Sequence, residues 1–384
     1  MGERTPARAD SARTVRRTMI GLASMALIVF LVVTTQFHRL PQGSPAVIHL
    51  LMALGIMPLI MGAMIYFTPV LTRSRAPEWP VLLLPLIALL AGGLVTASLA
   101  WRRELLPIAA LTGLLSCAVL LGWMWHRARR TLGTPHPGLY WYLFALLSLL
   151  LGLVAILGAV HWPEQWLALR RFHLHINVLG FVGLTALGTL RVLVPTVAGY
   201  TDPDTGIRLQ KDLPLVVMGA WLVAVCAVVA PGFSLVGLML WLIPWIRFAS
   251  GLVLAWRTQV WGWNRAGTSL AVATLGWGAV LVTGGLHAVA IWPAQMTLQL
   301  LLLIFLLPLV TGAVSYLLPV WIWPARNTSA YAVASRRLAY GSGVRALVFL
   351  TAGILVVSGF TGAIYLAFAG IAVFVLQVVW SLRA

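Results

Sequence analysis

The chain is a succession of long apolar runs separated by short polar segments. A helix of about 20 apolar residues is long enough to cross the hydrocarbon core of a bilayer. We therefore predict an all-α integral membrane protein with twelve transmembrane helices and no separate water-soluble domain. The first run lacks a convincing cleavage site and is interpreted as a retained span. The twelve runs begin near Thr18, Val47, Pro80, Leu105, Leu139, Phe172, Leu213, Phe233, Gly267, Thr297, Gly343 and Thr361.

One pattern occurs in three of these spans, at intervals of 126 and 124 residues. A polar residue opens the span, a glycine follows 13 positions later, and a proline closes it 20 positions after the start. The three copies are His49/Gly62/Pro69, His175/Gly188/Pro195 and Gln299/Gly312/Pro319. Small residues let membrane helices approach closely, and proline near a helix end loosens or terminates it. We expect the glycines to mark contacts between the three motif helices.

The spacing of the copies predicts three repeats of four helices each, at roughly 18–126, 139–256 and 267–382. Together they would form three pseudo-symmetric four-helix arcs within a single polytopic membrane domain, residues 1–384. The helix that precedes each motif helix ends in a histidine, so these ends are also equivalent. They are His38, His161 and His287.

Composition supports a lipid environment and charge suggests an orientation. The chain is 61% hydrophobic and 9% charged, with a net charge of +18. The arginines lie mostly in the N-terminal tail and in alternate short loops, which is the pattern of loops that stay in the cytoplasm. We predict a multi-pass protein of the bacterial inner membrane with both termini cytoplasmic and lipid as its surroundings. Because the positive charge is scattered over many loops, nucleic-acid binding is not expected.

Histidines carry the candidate chemistry. Ionisable residues inside a membrane are costly to bury and tend to be functional. His49 and His175 lie at matching depth near the outer face, with His173 beside them. Residues two apart on a regular helix point in different directions, so His173 and His175 should face two neighbouring crevices. Neutral imidazole binds haem iron and copper. A flat apolar haem suits a slot between helices, whereas a bare ion needs more converging ligands.

We therefore predict haem b held by axial ligands from His49, His173 and His175. The pairing is left open between His49 with His175 and His49 with His173. Arg170 and Arg171 come just before the helix and are candidate partners of haem propionates, although they could instead extend toward the membrane surface. None of the eight acidic residues lies in the middle of a predicted span. Redox-driven proton pumping by this chain is therefore not expected.

At these residues the chain resembles subunit I of the haem–copper oxidase superfamily. The resemblance rests on twelve spans in three arcs, on the His-Leu-His segment 173–175 followed by Gly188, Pro195 and Gly199, and on His49 followed by Met57–Gly62. It implies haem ligation by those histidines near the outer face. Unlike that family, the chain has this segment in span six and no histidine in span seven. It is thus similar to a divergent member, of the kind of the NnrS-type haem–copper proteins linked to nitric oxide.

Three functions follow as expectations. The first is a membrane b-type haem protein in electron transfer or in nitric oxide and other diatomic-gas chemistry, with an oxidoreductase activity left open. The alternative is a non-enzymatic copper-handling or accessory subunit of a membrane metalloenzyme. In that case His38, His161 and His287 would join His49 and His175 in binding metal, and other respiratory or metalloenzyme subunits would be partners. A transporter or structural subunit that lost its cofactor is the third alternative.

Overall fold

The computed structural model describes residues 6–36, 44–200 and 202–383, and no strand occurs among them. Twelve helices are long and apolar enough to cross a membrane, which confirms the predicted multi-pass membrane protein. They are named α1 to α12 in chain order. Their bounds are Ser11–Thr35, Pro45–Leu71, Trp79–Ala100, Arg103–Arg129, Gly138–His161, Pro163–Ala198, Thr205–Val229, Pro231–Ala255, Ala266–Ala288, Ala294–Ile322, Ser329–Val357 and Thr361–Ser381.

The helix starts agree with the apolar runs, with four differences. α1 begins at Ser11, seven positions before the predicted start. α6 begins at Pro163, nine positions before the predicted start, because an amphipathic turn precedes the apolar run. Arg170 and Arg171 therefore lie inside this helix, not before it. α7 begins at Thr205 and α11 at Ser329, and both are preceded in sequence by polar segments. α11 is interrupted near Gly341, which has a positive φ of 64° that glycine adopts without strain.

Two compact units make up the described chain. Unit 1 contains residues 1–29, 45–188 and 206–237, and unit 2 contains residues 30–44, 189–205 and 238–384. The division into three repeats and the single domain stay predictions.

The motif glycines allow close helix packing, but against a different partner from the one expected. In unit 1, a Cβ on Gly62 would lie 2.5 Å from Leu22 of α1, and one on Gly188 would lie 2.8 Å from Trp141 of α5. In unit 2, a Cβ on Gly312 would lie 2.9 Å from Leu270 of α9. Each motif helix thus packs at its glycine on the first helix of its own repeat. We expected the motif glycines to contact the other motif helices. This was wrong for the side chains nearest to each glycine, which belong to α1, α5 and α9.

A wide helical turn follows the polar residue in every copy of the motif. π-helix covers Leu50–Ile56 in α2, Ile176–Gly183 in α6 and Leu301–Leu306 in α10. Pro58 and Pro308 lie just after two of these segments, and a proline ring clashes with the carbonyl one turn earlier, which a wider turn relieves. Leu184 occupies the equivalent place in α6, so proline alone does not account for the repeat. π-helical turns are frequent at functional sites.

Two charged residues that the sequence places at loop edges are buried inside helices. Asp212 on α7 is 1% exposed and Arg345 on α11 is 5% exposed. The Arg345 guanidinium donates hydrogen bonds to Gln377 Oε1 at 3.0 Å and Ser315 Oγ at 3.1 Å. It also lies 4.4 Å from the ring centroid of Phe374. Each residue lies next to the start of a long apolar run. The sequence therefore does not show that the helix also extends to the other side of the charged residue.

Candidate functional site

The histidine pair of unit 1 is formed by His49 and His173. His49 ends the first α-helical turn of α2, directly before the π-helical segment. Its Nδ1 lies 2.7 Å from the carbonyl oxygen of Pro45, one turn earlier. A carbonyl oxygen only accepts hydrogen bonds, so this contact places the proton on Nδ1 and leaves Nε2 with its lone pair.

His173 on α6 has the same arrangement with a partner from another helix. Its Nδ1 lies 2.8 Å from the carbonyl oxygen of Gly152 on α5. The side-chain amide of Asn177 donates to the His173 carbonyl oxygen at 2.8 Å and lies 3.2 Å from Nδ1. Because the Gly152 contact is the shorter and requires a donor, Nδ1 of His173 carries the proton. Nε2 again keeps its lone pair.

The two imidazole rings are neighbours with nearly parallel planes. Their centroids are 6.1 Å apart and their planes differ by 13°. Two imidazoles on opposite sides of one metal ion, each with a metal–nitrogen bond of about 2 Å, would put their centroids roughly 6 Å apart once the size of the rings is added. Ring pairs in direct contact also occur at this distance. The hydrogen bonds favour ligation: in the part of the chain that the structure describes, no residue hydrogen-bonds to Nε2 of His49 or His173.

The groups behind His173 hold it with little freedom. A Cβ on Gly152 would lie 2.5 Å from Asn177 Nδ2 and 3.1 Å from Asn177 Cγ, so a larger residue would have to displace this amide. A histidine that binds a metal usually donates its other ring N–H to a carbonyl or carboxylate, which fixes the tautomer and the ring orientation. The Gly152 carbonyl supplies such support for His173, and the Asn177 amide donates instead to the backbone carbonyl of His173. Neither was singled out from the sequence, because the carbonyl lies 21 positions away on another helix.

His175 makes a hydrogen bond within its own helix. Its Nδ1 lies 2.7 Å from the Arg171 carbonyl oxygen, which is an intrahelical contact one turn earlier. The same tautomer argument applies, and the π-helical segment of α6 starts at the next residue. The ring of His173 lies 6.1 Å from that of His49, and ligation by any of the three histidines stays a prediction.

Arg170 and Arg171 bring positive charge to this region. Both side chains are exposed, and neither makes a hydrogen bond or ion pair with the described residues. Arg170 interacts electrostatically with His49, so its charge lies close to the pair. Two guanidinium groups near a pair of imidazoles suit an anionic group beside the rings. Their predicted contact with propionates stays a prediction.

The remaining histidines do not assemble a metal site in the described residues. His38 lies outside them. His161 ends α5 and contacts Trp162 edge to face. His287 belongs to unit 2, where its Nδ1 lies 3.1 Å from the Trp292 carbonyl oxygen. Within residues 6–36, 44–200 and 202–383, no group of three or more His, Cys, Asp and Glu side chains is placed to hold a metal ion. A porphyrin brings four nitrogen ligands of its own, so an axial pair is enough for haem iron.

Comparison with models of known protein families and with curated proteins gave no match.

Proposed function

We propose that this chain is a membrane b-type haem protein in which His49 and His173 are the two axial ligands of one haem. The observation that supports this most is the neighbouring pair of near-parallel rings, each with Nδ1 turned to a backbone carbonyl. In this proposal the Pro45 and Gly152 carbonyls fix both tautomers, and Asn177 keeps His173 in place. Arg170 and Arg171 bind the propionates.

The haem supplies reversible one-electron chemistry between ferric and ferrous iron. The chain's own part is to hold both imidazoles neutral and rigid and to keep water away. With both His49 and His173 bound to its iron, the haem would serve electron transfer at this pair better than binding of a gas. Nitric oxide or other diatomic-gas chemistry would use His175, the third histidine of the prediction. A copper ion bound at His175 remains part of the proposal. An oxidoreductase activity there and contacts with partner subunits also remain part of it.

The fold proposal follows from the same region. A histidine from α2 beside the first histidine of the His-Leu-His segment in α6 matches the arrangement expected for a divergent relative of haem–copper oxidase subunit I. The repeated π-helical turns support three related arcs. We place the protein in the bacterial inner membrane with cytoplasmic termini, as the arginine distribution suggests.

The test is the haem content of the purified full-length protein. We expect haem b in the wild type by pyridine haemochrome assay and sharp reduced absorption bands. His49→Ala and His173→Ala should each remove the low-spin signal. His161→Ala, at an exposed helix end, should retain it and serves as the matched control. A colourless wild type, or an unchanged spectrum in both pair variants, would refute the proposal. Colourless protein with stoichiometric copper would support the copper-handling alternative.

A further inference from the structure

A cavity lined by both polar and apolar residues lies within unit 2, at the end of the helices opposite to Gln299. Its volume is about 470 Å³, which is within the range of small-molecule sites. It is formed by the segment between α8 and α9, the end of α10 and the first helix of α11. One wall is apolar, with Ala198, Ala266 and Ala339. The histidine pair belongs to unit 1, and neither of its residues lines this cavity.

The polar side of the cavity presents hydroxyl groups and one cation. Tyr316, Tyr331 and Ser335 line it, and all three are half-buried. Among the described residues, none forms a hydrogen bond to any of these three hydroxyls. All three side chains line the same cavity, so their hydroxyls are available to donate hydrogen bonds to a ligand bound there.

Charge determines which ligand fits. Arg265 lines the cavity, and its guanidinium is fixed by the carbonyl oxygens of Thr258 and Gln259. A second cation lies behind the wall, because Arg345 donates to Ser315, another lining residue. No Asp or Glu is among the described residues that line the cavity. The surface thus offers hydroxyl donors and positive charge without a competing carboxylate, which selects an anion rich in acceptor oxygens.

We propose that this cavity binds a phosphate group, either of an anionic lipid headgroup or of a free phosphate compound. Arg265 supplies the charge, and the hydroxyls of Tyr316, Tyr331 and Ser335 donate hydrogen bonds to the phosphate oxygens. The apolar wall contacts the rest of the ligand. The segments that form the cavity carry further arginines, among them Arg257 and Arg336. Their positive charge raises the local concentration of anions.

The experiment uses full-length protein in nanodiscs of phosphatidylcholine, with two arms. The first arm titrates inorganic phosphate and follows the thermal midpoint. The second adds phosphatidylglycerol to the nanodiscs and counts retained lipid by native mass spectrometry. The test variant combines Tyr316→Phe, Tyr331→Phe and Ser335→Ala. It removes only hydroxyls that have no described protein partner, so folding should be preserved. Tyr340→Phe, exposed and outside the cavity, is the matched control.

We expect saturable binding in one arm, weakened about tenfold or more by the loss of three hydrogen bonds in the triple variant and unchanged in the control. Binding in the first arm identifies a free phosphate compound, and binding only in the second identifies a lipid headgroup. No saturable binding in either arm overturns the proposal. So does equal affinity in the triple variant and the wild type.

Discussion

Gly152 offers the sharpest perturbation of the histidine pair, because it supports His173 in two ways. Its carbonyl accepts the ring N–H at 2.8 Å, and its missing side chain leaves room for Asn177. In Gly152→Ala the new Cβ would lie 2.5 Å from Asn177 Nδ2. Contacts below 3.0 Å essentially do not occur for Cβ atoms, so the amide must move by about half an ångström or more.

The size of the effect follows from what that movement breaks. Asn177 Nδ2 donates to the His173 carbonyl oxygen at 2.8 Å, and this bond must stretch or be lost. A net hydrogen bond contributes about 1 kcal/mol, and overpacking a tight site costs typically 1–3 kcal/mol. We therefore expect Gly152→Ala to destabilise the site by about 1–3 kcal/mol. An effect of 1.4 kcal/mol corresponds to tenfold weaker haem retention.

The assay measures the rate of haem transfer to an apoglobin, together with the thermal midpoint of the protein. Gly122→Ala on α4 is the matched control, because nothing lies within 4 Å of the added Cβ. The double variant Gly152→Ala/Asn177→Ala removes the overlapping amide and should regain part of the lost stability. The reasoning is refuted if Gly152→Ala behaves like Gly122→Ala in both measurements.

Two further predictions concern the ends of the helices. Partial burial lowers the pKa of His136 below its ordinary value of 6.5, and its Nδ1 accepts the Gly138 N–H at 3.1 Å. The unfolded chain therefore binds the proton first, and stability should fall as the pH drops below about 6.5. His136→Gln should flatten this dependence in thermal midpoints measured from pH 8 to pH 5.5, and equal slopes in both proteins would contradict it. Arg345→Ala should lower stability by about 1–3 kcal/mol, since Ser315 and Gln377 lose a buried charged donor. Denaturation curves check this, and a wild-type midpoint would show that the buried guanidinium contributes nothing.

The membrane architecture could be predicted because a bilayer accepts only long apolar helices, and such runs are visible directly. The ends of the helices were harder. The amphipathic turn before Phe172 has too little hydropathy to be counted with α6, and Asp212 and Arg345 resemble loop residues although both are buried. The π-helical turns have no reliable sequence signal. Two of them are followed by a proline, Pro58 or Pro308, but the third is followed by Leu184 at the equivalent position.

The candidate site was predicted in its residue types but not in its support. Matching depth and repeat symmetry indicated His49 and His175 as candidates, with His173 beside them, and left the pairing open. Which histidine of α6 lies next to His49 depends on the rotation of α2 and α6 about their axes. The π-helical turns influence this rotation. The Gly152 carbonyl could not be found from sequence, because every residue has a carbonyl and only the packing of α5 on α6 selects this one.

The central claim is that His49 and His173 bind one iron from opposite sides. Low-temperature electron paramagnetic resonance of the oxidised full-length protein tests it most directly, because ferric haem reports both the identity and the relative orientation of its axial ligands. With imidazole planes only 13° apart, we predict the rhombic low-spin spectrum of two near-parallel imidazoles, absent in both His49→Ala and His173→Ala. A spectrum of high-spin haem alone, or no haem signal in the wild type, would contradict the account.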